Sequence, residues 1–332
     1  MIAAISIEKT IIPILPPLIA SAVLRLSASI LQQVTEIRLR VGQPVLIMIG
    51  KADNMLRSDG ILISEITQAV ICTREDIIKA LQLISRNSLY AFEQELQAGY
   101  ITINGGHRVG IAGQAIIDNG KLKALKNISS LNIRLAREQK GAADLVFPYV
   151  VSGGRIASSL IISPPRCGKT TLLRELIRQI SSGSRSHGFA GAQVGLVDER
   201  SEIAGCWDGV PTVDLGPRVD VLDGCPKAVG MIMLVRSMAP QAVATDELGS
   251  IEDAQAVREA LHAGVAVLTT VHGRDAADAA RRPNIGDLLK DQYFERFIIL
   301  SDQPAIGTVE EITDARTGRN LYNRKNGVKV CG

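Results

Sequence analysis

The sequence predicts an α/β chain of two domains, a mostly parallel sheet over residues 141–332 preceded by a smaller α+β domain over residues 1–140. Three observations predict it. Beyond about residue 145, apolar strand-length runs alternate with helical patterns, the mark of a parallel sheet. One alternation, Leu160 to Leu173, reads apolar run, tight loop, helix, and Gly168-Lys169-Thr170 closes the loop. Before residue 140 the pattern is instead a meander, with alternating strands joined at Gly105-Gly106 and Asn119-Gly120.

Composition fits this division. A chain of 332 residues is long enough for two hydrophobic cores. Hydrophobic residues at 46% and charged residues at 21% describe a soluble globular protein. A net charge of +3 is too small to mark nucleic-acid or anionic-membrane binding by itself. Trp207 and sparse aromatics offer no base-stacking platform, so no nucleic-acid partner is expected. Cys72, Cys167, Cys206, Cys225 and Cys331 are scattered without C-x-x-C spacing; they read as thiols in a reducing compartment, and no zinc site is expected. No basic region precedes an apolar one at the N-terminus, so no signal peptide is expected. The apolar stretch Ile11 to Ile30 is broken by Pro13, Pro16, Pro17 and Arg25, and reads as a core helix rather than a membrane span. A cytoplasmic protein is expected.

In the first domain, Pro17 to Gln33 has helical spacing, and Glu36 to Arg40 alternates like a strand. Gly42-Gln43-Pro44 turns into a second strand, Val45 to Ile49. Thr73 can cap a helix through Leu83, with Glu75 and Asp76 in its first turn. Tyr90 to Gln97 reads as a further helix, stopped by Gly99. The meander follows: Tyr100 to Ile103, His107 to Ile117, Leu122 to Leu125 and Leu131 to Leu135. Polar Glu138 to Gly141 is the candidate linker.

In the second domain, Leu172, Leu173, Leu176 and Ile180 share one face of a helix over Thr171 to Ile180. Ser/Gly-rich Ser181 to Gly191 reads as a mobile surface loop. Strands are expected at Val194 to Val197, Ala242 to Thr245 and Val265 to Val271, with helices over Lys227 to Met238 and Ile251 to Ala263. Phe297 to Leu300 and Thr308 to Ile312 read as late strands.

The chemistry gathers where strands end. In open α/β sheets, ligands sit beyond the carboxyl ends of the strands. The loop Ser163-Pro164-Pro165-Arg166-Cys167-Gly168-Lys169-Thr170-Thr171 can present backbone N–H groups and a helix N-terminus to phosphates. Gly168 allows close approach, Lys169 can reach the β/γ-phosphates, and the Thr170 hydroxyl can bind Mg²⁺. Ser163 stands where the first glycine of G-x-x-x-x-G-K-[ST] is usual. ATP and Mg²⁺ are therefore the expected cofactors. Asp246 is the candidate for the metal's other side, and Glu247 for orienting or deprotonating the attacking water. Asp198 and Glu199 rival that pair for metal and water respectively, and a structural cluster with Arg200 stands beside both readings. His272 could sense the γ-phosphate or be only an edge residue. A cation on the developing charge has Arg236, Arg218, Arg108 and Arg134 as candidates; such a group often comes from a neighbouring copy, which points to a ring.

These residues carry a family resemblance. Glu36-Ile37-Arg38-Leu39-Arg40-Val41-Gly42, Gly106-His107-Arg108-Val109-Gly110 and Ser130 to Ala136 carry it in the first domain. In the second, Pro164 to Arg174, Val197 to Ala204, Asp220 to Lys227, Val235 to Met238 and Thr245 to Gly249 do. Over nearly its whole length the chain resembles the AA family of stage III sporulation proteins, within the type II/type IV secretion ATPase group. The resemblance implies a RecA-like P-loop ATPase domain after the α+β domain. It implies an ATP-hydrolysing motor in the mother-cell cytoplasm, assembled with itself as a hexamer and serving membrane-embedded sporulation channel proteins. Leu268 to His272 resembles the group's histidine box, and Asp198-Glu199 its acidic box, where the Glu is catalytic; this favours Glu199 over Glu247 and leaves both in place. Ser163 and Ala244-Thr245 depart from the group's pattern. Two other readings are open: a nucleotide-gated assembly scaffold with negligible hydrolysis, and a nucleic-acid motor, which charge and aromatic content do not support.

Overall fold

The computed structural model describes residues 7–50, 52–85, 99–118, 121–136, 139–206, 208–325 and 328–329. The helix expected at Tyr90 to Gln97, the Asn119-Gly120 turn, Glu138 of the linker and Trp207 lie outside them. The chain divides into two compact units, Met1–Arg137 with Gly205–Trp207, and Glu138–Ala204 with Asp208–Gly332.

The first unit begins with α1 (Pro17–Leu24) and α2 (Ala28–Leu31). The single helix expected through Gln33 is thus broken. Ser27 adopts an extended backbone and its hydroxyl accepts the Ile30 N–H, so a short polar side chain starts a new helix instead of continuing the old one. Strands β1 (Val34–Arg40), β2 (Leu46–Ile49), β3 (Ala52–Leu56) and β4 (Leu62–Ile63) follow. Then come α3 (Arg74–Ile84), β5 (Tyr100–Ile103), β6 (His107–Asp118) and β7 (Lys121–Arg134). Thr73 caps α3 as expected, and the Asp76 side chain returns the bond by accepting the Thr73 N–H, which was not expected from the sequence. The sheet is antiparallel, in the order β4-β3-β2-β1-β7-β6-β5. Alternation places Ile37, Leu39, Val109, Leu131 and Ile133 in a core with Ile19, Val23, Ile77 and Leu81 of the helices. The two short strands expected at Leu122 and Leu131 are one strand, β7. Its register with β6 shifts twice, and at one shift a Cβ on Gly113 would lie 2.7 Å from the Lys126 carbonyl oxygen.

The second unit opens with α4 (Phe147–Val150) and the short hairpin β8 (Val151–Ser152) and β9 (Arg155–Ile156). The site-bearing run is β10 (Ser159–Ser163), α5 (Lys169–Ser182), β11 (Val194–Asp198) and β12 (Val219–Asp223). It continues with α6 (Lys227–Met238), β13 (Ala242–Glu247), α7 (Ile251–His262) and β14 (Ala266–His272). After α8 (Ala276–Ala280) and α9 (Ile285–Lys290) come β15 (Arg296–Ser301), β16 (Thr308–Asp314), β17 (Asn320–Asn323) and β18 (Val328–Lys329). The order is β12-β11-β13-β14-β10-β15-β16-β17-β18. Strands β12 through β15 pair in parallel and the last three extend the sheet antiparallel. The parallel strands β10 and β11 are buried throughout, as strands covered on both faces must be. The stretch expected as a mobile loop, Ser181 to Gly191, is pinned. Ser184 and Phe189 exchange backbone hydrogen bonds of 2.8 and 2.9 Å, and Phe189 is buried edge-on to Phe147.

Candidate functional site

The carboxyl ends of β10, β11, β13 and β14 meet at one cavity of about 1040 Å³, which lies where the parallel strand order reverses around β10. Ser163, the last residue of β10, pairs in register with His272, the last of β14. The loop then turns through Arg166 (φ 63°) and Gly168 (φ 86°), both in the left-handed region. Gly168 is constrained twice: a Cβ there would also lie 3.0 Å from Gly307 Cα. Helix α5 begins at once with Lys169, so its first N–H groups face the cavity lined by Lys169, Thr170 and Thr171.

Lys169 is 7% exposed, and its ammonium is held by protein atoms. It donates to the Ser163 and Pro164 carbonyls at 3.1 Å each and to His272 Nδ1 at 2.8 Å. Ser163 Oγ lies 3.4 Å away, so the residue that replaces the usual glycine helps hold the lysine. Burial pulls the Lys169 pKa down, opposed by the charge of Glu247. Since Nδ1 accepts from the lysine, His272 carries its proton on Nε2, which lies 2.8 Å from Glu247 Oε2. Lys169, His272 and Glu247 therefore form one chain of polar contacts across the ends of β10, β14 and β13.

A second cluster lies at the ends of β11 and β13. The register of β13 against β14 shifts between Ala244 and Glu247. This bulge re-aims successive side chains, so Asp246 and Glu247 both line the cavity. Thr269 Oγ1 donates to the Asp246 carbonyl at 2.7 Å, satisfying a backbone acceptor at the bulge. The Asp246 carboxylate is less well provided for. Its Oδ1 is buried without a hydrogen-bond donor and sits 3.6 Å from Lys227 Nζ. Burial pushes its pKa up to about 6; Lys227 opposes this, and Asp198, Glu202 and Glu199 add to it. Lys227 also donates to Glu199 Oε2. Asp246 and Thr170 line the same cavity, and an orphaned carboxylate oxygen beside a hydroxyl-bearing residue fits a hard divalent cation.

Asp198 does not reach this cluster. It is fully buried, and its carboxylate accepts the backbone N–H groups of Glu202, Ile203 and Ala204 at 2.7–2.9 Å. The rival metal ligand is therefore the keystone of a turn that sets Glu199 beside the cavity. Arg236 is not brought to the cavity either: it is exposed on the last turn of α6, 4.0 Å from Glu259. Arg218 is spent on the Ser181 carbonyl at 2.6 Å. In the first unit, Arg108 lies over the Tyr100 ring and Arg134 lies 3.6 Å from Glu36. Sequence reasoning missed Lys227. A signal was present: a lysine at the first position of a helix opposes the helix dipole and so calls for nearby carboxylates.

Comparison with known proteins places the chain in a family and its fold among solved structures. The chain matches the family model described as Sporulation stage III, protein AA over residues 8–320. It is 42% identical over 299 residues to Stage III sporulation protein AA of Bacillus subtilis (strain 168), covering 90% of this chain and 92% of that protein. Among solved structures it resembles the ATPase DotB of Legionella pneumophila, with a TM-score of 0.50 and 16% identity over 81% of this chain and 72% of that one. It also resembles the pilus retraction motor PilT solved with bound ADP, with a TM-score of 0.52 and 13% identity over 80% of this chain and 73% of that one. At these identities the likeness is one of fold, and it is the fold of secretion-type ATPases expected from the sequence. With a family model spanning almost all of its length and a relative this similar over 90% of it, the chain belongs to the sporulation stage III, protein AA family.

Proposed function

We propose that the second unit binds ATP with Mg²⁺ and hydrolyses it, and that the chain works in endospore formation as a secretion-type motor. The observation that carries this reading is Asp246, whose Oδ1 has no hydrogen-bond donor and which lines the same cavity as the Lys169-Thr170 end of the loop. In this reading residues 163–171 cradle the phosphates, with Lys169 on the β/γ oxygens. Thr170 and Asp246 would hold Mg²⁺, which when bound supplies positive charge to the phosphate oxygens. Glu199 and Glu247 are the candidates for orienting and deprotonating water, and His272 reports the γ-phosphate to Glu247. Arg236, which is exposed, would serve a neighbouring copy of the chain rather than its own cavity. That predicts a homo-oligomer, expected as a hexamer, passing work to membrane-embedded sporulation channel proteins from the mother-cell cytoplasm.

One observation favours a second reading. Glu199 is ion-paired with Lys227 and Glu247 is bonded to His272, so each carboxylate must leave a partner before it can act as a base. A scaffold that binds ATP, assembles and hydrolyses negligibly is consistent with that pairing. Mg²⁺-dependent ATP turnover across a protein-concentration series, beside Lys169→Ala, Glu199→Gln and Glu247→Gln, separates the two. Turnover that rises with assembly and disappears in Lys169→Ala supports the motor. ATP binding with background turnover at every concentration leaves the scaffold.

A further inference from the structure

Lys227 is placed against its local electrostatics. It follows Pro226 as the first residue of α6, where the helix N-terminus disfavours a cation. Its side chain is only 12% exposed, so solvent does little to compensate. What holds it is a pair of carboxylates from two neighbouring strand ends, Glu199 after β11 and Asp246 in β13. Burial alone would lower its pKa; the Glu199 hydrogen bond and the charges of Asp246 and Glu199 outweigh that, so the ammonium stays charged. The contact with Asp246 is incomplete. At 3.6 Å it is an ion contact without a hydrogen bond, and Oδ1 remains a buried acceptor without a donor on a residue that lines the site.

That same oxygen is the one assigned above to the divalent cation, so the inference rests on the ATP–Mg²⁺ reading of the cavity. A lysine ammonium and a dication beside one carboxylate repel each other strongly at the low effective dielectric of a half-buried site. Without either cation, Asp246 and Glu199 would face each other and Glu202 in the same cluster as uncompensated like charges. We propose that Lys227 is a resident counter-cation: it neutralises the Asp246–Glu199 pair in the metal-free cavity and competes with the divalent cation for Asp246. It thereby weakens metal binding to the empty site and leaves tight binding to the combination of metal with polyphosphate. When Asp246 turns to the metal, Lys227 keeps Glu199 as its partner. Lys227 is thus a positioning residue that links occupancy of Asp246 to the placement of Glu199.

The test is Mn²⁺ binding to the nucleotide-free full-length chain, read by electron paramagnetic resonance. Lys227→Met keeps length and apolar bulk while removing charge, and should bind Mn²⁺ about tenfold more tightly than wild type. Lys227→Arg, which keeps the charge, should stay near wild type. The gain should vanish in Lys227→Met/Asp246→Asn. As a second readout, Mg²⁺ without nucleotide should raise the unfolding temperature of Lys227→Met by more than that of wild type. Equal or weaker Mn²⁺ binding by Lys227→Met overturns the proposal, and so does undetectable binding in both proteins. A gain that persists without Asp246 overturns it as well. Binding of a fluorescent ATP analogue to wild type is measured in parallel: its failure would remove the nucleotide reading, while the Mn²⁺ comparison still decides the role of Lys227.

Discussion

Replacing Asp246 by Asn should make the metal-free and nucleotide-free protein more stable while abolishing its response to Mg²⁺. The carboxylate is ionised in a place that disfavours it: its pKa rises from 3.8 to about 6, chiefly by burial, with Lys227 opposing and three other acids adding to the rise. Between these values the folded state holds the proton and the unfolded state releases it, so stability falls as pH rises through that window. Below pH 3.8 there is no penalty; above about pH 6 the whole of it, about 3 kcal/mol, is present. Asn cannot ionise, but its amide must also be buried without full hydrogen bonding, which returns about 1 kcal/mol. The expected net gain is about 2 kcal/mol at pH 7.5, shrinking to near zero at pH 4. Because a chain of two units need not unfold in one step, the measurement is hydrogen exchange at the buried amides of β14. Lower protection in Asp246→Asn at pH 7.5, or a gain of equal size at pH 4, would refute the reasoning. A residue that costs stability when its ligand is absent is the usual signature of a site kept for function.

Three further outcomes follow from named contacts. His107 is buried in the first unit, accepting the Ala136 N–H at 2.9 Å and bonded to Thr10 Oγ1 at 2.8 Å. Burial pushes its pKa down from 6.5 to about 4, so the unfolded chain binds the extra proton between those values. Stability of this unit is complete above pH 6.5 and should be lower by about 2 kcal/mol at pH 5; hydrogen exchange of β1 and β7 should show this, and His107→Gln should flatten it. Gly168→Ala places a Cβ at φ 86° and 3.0 Å from Gly307 Cα, so it should cost about 1–2 kcal/mol and weaken ATP binding at least about tenfold by calorimetry. Unchanged binding would show that the loop can relax around the side chain. Asp198→Ala strips three backbone N–H groups of their acceptor and should lower stability by about 3 kcal/mol in thermal unfolding. Were Asp198 a metal ligand instead, its loss would leave the metal-free protein as stable as wild type.

The features legible in the sequence are those with local causes. The strand–loop–helix order around Gly168 and Lys169 follows from an apolar run, a glycine that accepts positive φ, and an amphipathic helix, all within one short stretch. Helix α6 was legible to the residue because Pro226 stands before its first residue and Pro240 bars its continuation. Strand β12 was not, since Asp220 and Asp223 interrupt its apolar alternation and its residues are only half-buried. The break between α1 and α2 depends on whether Ser27 continues a helix or caps the next, a choice between alternatives of similar energy. The site divides in the same way. Strand ends announced Asp246, Glu247 and His272, whereas the division of labour between Asp198 and Glu199 depends on a turn in which three N–H groups converge on one carboxylate. Nothing in Val197-Asp198-Glu199-Arg200 by itself says which of the two acids turns inward.

The pairing of charges inside the cavity bears on what it can bind. In one cluster Lys169 is spent on Ser163, Pro164 and His272, and in the other Lys227 is spent on Glu199 and Asp246. Counting Glu247 beside His272, the first cluster is formally neutral and the second keeps one net negative charge, so binding is largely an exchange of partners rather than the filling of an uncompensated field. A lone phosphate would compensate Lys169 for the bonds it gives up but would leave the Asp246 cluster unchanged. A lone divalent cation would satisfy Asp246 but meet the repulsion of Lys227. Only a ligand that brings several negative charges together with a metal satisfies both clusters at once. Its affinity then exceeds the sum of the two parts, because each part removes the obstacle to the other. The backbone of the loop is set in advance by Gly168 and Ser163, so this exchange costs side-chain rearrangement and little main-chain ordering. The paired charges therefore predict selectivity for a metal-bound polyphosphate over inorganic phosphate, and binding of phosphate as tight as that of MgATP would contradict the prediction.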